Sequence, residues 1–244
     1  MNFLLTPPSS EDLTRLFKAW RFWVLAALLG GAIGALVYFV APPQYRVRAV
    51  VQVDFNIEEA YHPTQDKQSF YYVEREVRKL EALAYSDAVM QAVANQVGGV
   101  TVNQLRGQKL LLSQPGEADW HFFADDGDPK RAAALAAAWA EAFTAQVKDA
   151  TAASMTLQSY HAQILNGCGS DCANLESKIS GLEANAQGIS PYIEVSLLQS
   201  QHLAVKRKLA LSTYILVGAI IFITISALAI LFISPRKSGP RQAK

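Results

Sequence analysis

The chain has 244 residues, 51% of them strongly apolar and 18% charged, with 22 Lys and Arg against 21 Asp and Glu for a formal net charge of +1. Soluble domains hold about a quarter charged residues, so this apolar balance excludes a disordered chain, and the near-neutral charge excludes a general nucleic-acid binder. Two Cys are too few for a disulfide-stapled fold, and 10 Pro with 14 Gly exclude a collagen-like or linker-like chain. The composition fits a membrane protein carrying one modest water-exposed domain.

The apolar excess lies at the two ends. After residues 1–21, Phe22 to Ala41 reads FWVLAALLGGAIGALVYFVA, 20 residues without a charge. Leu211 to Ile233 reads LSTYILVGAIIFITISALAILFI, 23 residues, also uncharged. About 20 such residues cross a ~30 Å hydrocarbon core as a helix. Trp20, Phe22, Trp23, Tyr38, Phe39, Tyr214 and Phe232 gather near the ends of the two stretches, as an interfacial belt does. The first stretch is too long for a signal-peptide core, Phe39 stands where cleavage needs a small residue, and Pro42-Pro43 follow. It reads as an uncleaved span. Gly30 and Gly34, four apart, allow another helix to approach closely, although such glycines also occur in spans that pack on nothing.

Charge gives the orientation. Residues 1–21 carry Arg15, Lys18 and Arg21 against Glu11 and Asp12, and residues 234–244 carry Arg236, Lys237, Arg241 and Lys244 with no acid. Residues 42–210 hold 15 basic and 19 acidic side chains. Both tails therefore read as cytoplasmic, with 42–210 outside. Arg46, Arg48 and Lys206-Arg207-Lys208 flank the spans on the outer side against the rule, which long segments obey only loosely.

Within 42–210, Tyr45 to Phe55 alternates: Tyr45, Val47, Ala49, Val51, Val53 and Phe55 share one face of a half-buried strand. Asn56 to Gln68 reads as a loop. Phe70, Val73, Val77, Leu80 and Ala84, followed by Val89, Val93 and Val97, predict one amphipathic helix over 69–97, stopped by Gly98-Gly99. Short strands are expected near Lys109–Ser113 and Asp119–Ala124, turned by Pro115-Gly116. Asp128 caps, and Pro129 opens, an Ala-rich helix running to Leu165. Its 37 residues would reach about 55 Å at ~1.5 Å each. Leu175, Ile179, Leu182 and Ala186 predict a returning helix, so that residues of about 129–187 form a hairpin arm. Tyr192 to Leu209 is expected to be helical up to the second span. The fold class is a membrane protein with two transmembrane helices flanking an α+β domain with a helical-hairpin arm.

Catalytic patterns are missing. The sequence has no G-x-x-x-x-G-K-[ST], G-x-S-x-G, H-E-x-x-H or G-x-G-x-x-G. His62, His121, His161 and His202 lie on different elements without ligand spacing, and Asp125, Asp126 and Asp128 lack the EF-hand pattern and read as helix N-terminus chemistry. No metal or other cofactor is expected. Cys168 and Cys172 are the one reactive-looking pair. On the outer side a disulfide is their natural state, closing a small ring at the hairpin tip; a metal site and free thiols are the alternatives.

The order of elements resembles a known family. An amphipathic stretch (Glu11, Asp12, Leu13, Leu16, Phe17, Trp20, Arg21) precedes the first span. Pro42-Pro43-x-Tyr45 leads into a Val-rich strand, Asp128-Pro129 opens the Ala-rich helix, and a second span and a short basic tail end the chain. This is similar to the Wzz-type polysaccharide co-polymerases, the chain-length determinants of bacterial surface polysaccharides such as O-antigen, capsule or exopolysaccharide. The resemblance implies a two-pass protein of the bacterial inner membrane with a periplasmic central domain. It implies a ring-like homo-oligomer that acts without catalysis on a polysaccharide polymerase and its growing lipid-linked glycan. Two other readings are a membrane adaptor of a cytoplasmic tyrosine kinase in capsule export and a periplasmic glycan-acting enzyme. The first needs more than a ten-residue tail without tyrosine. The second needs paired carboxylates in a cleft, whereas Glu58-Glu59 and Asp125-Asp126 are adjacent. If copies meet base to base, Arg46 and Arg48 on the strand and Glu74, Glu76 and Glu81 on the helix are candidate inter-subunit partners; pairing within the chain, or plain solvation, is the other reading.

Overall fold

The structure, a computed structural model, describes residues 18–60, 69–113, 115, 117–167, 172–199 and 203–233. In chain order the main elements are helix α1 (Trp20–Val40), strand β1 (Tyr45–Asp54), helices α2 (Ser69–Ala84) and α3 (Asp87–Val97), strands β2 (Leu110–Ser113) and β3 (Asp119–Asp126), helices α4 (Pro129–Leu165) and α5 (Cys172–Ala186), strands β4 (Glu194–Gln199) and β5 (Lys206–Arg207), and helix α6 (Leu211–Ile233), with short helical turns at Ile57–Ala60, Val102–Gln104 and Leu105–Lys109. They fall into two compact units, one holding α1 and α6 and the other spanning Gln44–Lys208. Both α1 and α6 are long and apolar enough to cross a membrane.

The Gln44–Lys208 body is built around β1. Its inward side chains Val47, Ala49, Val51 and Val53 are at most 2% exposed, while Arg48, Gln52 and Asp54 face outward. The sheet is antiparallel with order β2-β3-β1-β4, and β5 also pairs with β1. Helix α4 covers the inward face. Asp128 Oδ1 accepts the Lys130 N–H at 3.0 Å, and Pro129 occupies the first helical position, where its missing N–H is no loss. A stripe at three- and four-residue spacing (Ala132, Leu135, Trp139, Phe143, Val147, Ala150) is completely buried. Trp120 of β3 stacks on Phe143 with centroids 5.9 Å apart, and Phe122 meets Trp139 edge-on at 4.8 Å. Trp139 keeps its indole N–H satisfied on the Ala84 carbonyl at 2.8 Å.

Burial along α4 continues to Ser154, so most of this helix is core rather than arm. At ~3.3 Å per residue the ten residues of β1 cover about 33 Å, against about 55 Å for α4. The overhang of about 22 Å matches the 15 residues of α5 that return along it. The projecting hairpin is thus the last turns of α4 with α5.

Two expectations need correction. The single helix over 69–97 is two, because Ser86 breaks it: extended at ψ 156°, it accepts the Val89 N–H at 3.4 Å and caps α3. Arg106 then holds the freed Tyr85 carbonyl at 2.7 Å. Apolar spacing ran through this point and masked the Ser-Asp start signal. The expected helix over 192–209 is instead β4 and β5. Ile193 and Val195 are buried while Glu194 and Ser196 are exposed, a period of two that serves the open edge of β1. The loop expected after Phe55 holds one helical turn, Ile57–Ala60, and 61–68 lie outside the described residues, as do Cys168 and the side chain of Cys172.

The aromatic layer sets the stability of the body. Trp139→Ala removes the ring that joins β3, α2 and α4 and is expected to destabilise by about 3–5 kcal/mol. Met155→Ala, at a position 57% exposed, should stay within about 0.5 kcal/mol of wild type in the same unfolding measurement.

Candidate functional site: a clasp, a knot and a glycine seam

At the end of the sheet where β1 begins, the two chain ends of the body lie side by side, the Lys208 N–H donating to the Gln44 carbonyl at 2.8 Å. Arg46 stands opposite Asp125 in the β1–β3 register. Its guanidinium donates Nε and Nη2 to the two carboxylate oxygens, both at 2.7 Å, the planar bidentate match that Arg makes best. Lys208 Nζ reaches Asp125 Oδ2 at 2.8 Å from β5's extension. The Arg46 head also lies 5.6 Å from the centre of the Phe123 ring. Burial opposes the charge on Asp125, yet the hydrogen bonds and charges of Arg46 and Lys208 outweigh it and hold the carboxyl below its ordinary range. The bond to Asp125 in turn raises Arg46. Next to this clasp, Asp126 accepts Lys109 Nζ and the Asp128 N–H. Of the three aspartates read as helix-start chemistry, Asp128 is the cap and Asp126 holds the Asp128 N–H together with Lys109, while Asp125 pairs with Arg46 and Lys208.

At the opposite end of β1, a carboxylate knot ties the loop between α5 and β4. Glu76 is 1% exposed; Oε1 accepts Lys79 Nζ at 2.7 Å and Oε2 accepts the Ser190 N–H at 3.1 Å. Lys79 also donates to the Gly188 carbonyl. Tyr72 Oη lies 2.8 Å from Ser190 Oγ, and Ser154 Oγ donates to the Ile189 carbonyl at 2.6 Å. Asn56, at φ 40° in the left-handed region that Asn tolerates, donates to the Tyr192 carbonyl at 2.9 Å. A cleft of about 530 Å³ opens beside the knot, bordered by Arg75, His161, Glu183 and Tyr192. Both oxygens of Glu76 are engaged in holding backbone and Lys79, which makes it a structural anion. Among the described residues no cluster of His, Cys, Asp and Glu is arranged to hold a metal ion.

In the other unit, α1 and α6 pack along glycines. A Cβ at Gly30 would overlap the Gly218 carbonyl, and one at Gly34 would overlap the Tyr214 carbonyl. Tyr38 and Tyr214 meet edge-on at 5.5 Å near one end of the seam. Gly218, which the sequence reading did not single out, lets the backbone of α6 reach Gly30 and Gly34; its signal was a glycine next to Ala219 among branched residues in LVGAI.

The remaining candidates sort as follows. Glu76 is tied to Lys79 and lies 3.5 Å from Arg75, and Glu74 pairs with Arg78 one turn along α2. With Arg46 on Asp125, three of the five charges considered for contacts between copies have partners inside the chain. Arg48 and Glu81 are exposed and, among the described residues, form no ion pair. Pro42 and Pro43 stand between α1 and β1, Tyr45 opens β1, and Asp128 with Pro129 opens α4.

This arrangement defines a two-helix, membrane-type chain with a mixed α+β body inserted between the helices. Residues 12–97, which take in α1 and β1 through α3, match the family model of the chain length determinant protein, Wzz. No curated protein matches the chain.

Asp125→Asn is the direct test of the clasp. At neutral pH it leaves Arg46 and Lys208 without their anion and is expected to destabilise by about 1–3 kcal/mol. Because Asp125 is depressed in the folded chain, its contribution is complete above the ordinary value of 3.8 and disappears as pH falls through the lower folded value. The gap between wild type and variant should therefore close on acidification below that point, as read by thermal unfolding across pH. A gap independent of pH would contradict the assignment.

Proposed function

We propose that the chain is a non-enzymatic scaffold of the bacterial inner membrane that governs the length of a surface polysaccharide. The match of residues 12–97 to the chain length determinant family carries this reading. The two apolar helices support it, since they bracket a body whose chain ends emerge together. The body faces the periplasm, both tails are cytoplasmic, and several copies assemble around the site where a polymerase extends its lipid-linked glycan.

The geometry suits a part that acts by shape. The clasp fixes the end of the sheet from which both membrane segments leave, and the knot fixes the end from which the hairpin projects. Between them the sheet and α4 form a rigid strut, so a hairpin in each copy would be held at a set direction. Glu76, Asp125 and Asp126 are bound into ion pairs, while Glu58 and Glu59, with Asp54 and Glu117, line a separate cleft of about 520 Å³.

Deleting the gene should replace a surface polysaccharide of preferred length with a broad distribution of lengths on a gel, with total polymer roughly unchanged. Restoring the chain should restore the preferred length. An unaltered length profile in the deletion strain would overturn the reading. Reporter fusions at residue 120 should read periplasmic and at the C-terminus cytoplasmic.

A further inference from the structure

Four cations share the open face of the sheet at the clasp end. Arg46 and Arg48 are two residues apart on β1 and so point the same way. Lys206 stands directly opposite Arg46 on β5, and Lys208 lies two residues further along. Lys208 Nζ reaches Asp125 beside the Arg46 guanidinium, which places it on this face too. Asp125 offsets one positive charge and leaves an excess of three. Arg48 and Lys206 are exposed, and among the described residues neither has a carboxylate at ion-pair distance. Further along the face, His121 is lowered first by burial and second by the charge of Arg48, with Asp119 and Glu117 acting the other way. Like charges gathered on a sheet face repel one another, so a fold that keeps them together is prepared for an anion.

Covalent tethers say which anion is near. Lys206 precedes the first residue of α6 by five residues, and Arg48 follows the last residue of α1 by eight. Fully extended, these links reach at most about 17 Å and about 27 Å. If α1 and α6 span a bilayer, these links keep the cations within reach of its surface. These are also the residues that sit against the positive-inside rule, which a lipid-binding role accounts for.

We propose that this face binds the phosphate of an anionic membrane lipid. Arg48 and Lys206 supply the primary contacts, Arg as a planar fork and Lys as a point charge, while Arg46 and Lys208 share their charge with Asp125. The inference rests on the membrane placement of the proposed function. Phosphoglycerolipid headgroups and the diphosphate of a lipid-linked glycan present the same chemistry.

The test is native mass spectrometry of the full-length chain in detergent, titrated with phosphatidylglycerol, phosphatidylcholine or a polyprenyl diphosphate, with inorganic diphosphate as competitor. Wild type should retain the two anionic lipids over phosphatidylcholine, and the preference should weaken with salt. The double variant R48Q/K206Q should lose about five- to thirtyfold of that preference at an unchanged unfolding temperature, since neither residue joins the clasp. R48K/K206R, which keeps both charges, should retain the preference. The better retained of the two anionic lipids identifies the source. No preference in wild type, an unaltered preference in R48Q/K206Q, or inorganic diphosphate competing as well as the lipids would each overturn the proposal. Lipid retention is read on the purified chain, independently of glycan length. A length profile that depends on the chain without lipid preference sinks this inference alone, and the converse result sinks only the scaffold reading.

Discussion

The body depends on sealing one face of β1. Val47, Ala49, Val51 and Val53 can leave water only if a helix lies along the full strand, and α4 does so with Leu135, Trp139, Phe143 and Val147. That burial requires an antiparallel partner on each edge, because an unpaired central strand would leave its backbone groups without partners. β3 takes one edge, and the C-terminal β4 and β5 take the other. Bringing the end of the body back beside its beginning is therefore a consequence of completing the sheet.

Two polar assemblies then fix what burial leaves free. At the β1 start, Asp125 draws together side chains from the first and last segments of the body, Arg46 and Lys208. At the other end, Glu76 and Lys79 of α2 grip Ser190 and Gly188, the hinge through which α5 returns to the sheet. In these half-buried pairs, loss of hydration offsets part of the attraction between the charges. Asp125 offsets only part of the positive charge that Arg46, Arg48, Lys206 and Lys208 bring to the open face.

Much of this was legible in the sequence. Strict alternation over Tyr45–Phe55 located β1, Asp128-Pro129 opened α4, and the uncharged runs located α1 and α6. The failures have physical causes. Ile193, Val195 and Leu197 alternate, but Leu198 and the residues after it blur the period, and only the open edge of β1 decides for strand. Ser86 capped a new helix inside an unbroken apolar stripe. Glu76 looked like a surface charge on α2, since nothing nearby in sequence announces Ser190, its partner more than a hundred residues away. The glycine seam was half visible: Gly30 and Gly34 mark a surface, and Gly218 shows what meets it.

A strut with fixed ends can set a length only if several copies are held together, so the number of subunits is the most direct measure of the account. Mass photometry of the full-length chain, extracted in mild detergent, should give a discrete multiple of the 26.6 kDa subunit after correction for the micelle. A population made only of single subunits under those conditions would contradict a scaffold that works by geometry.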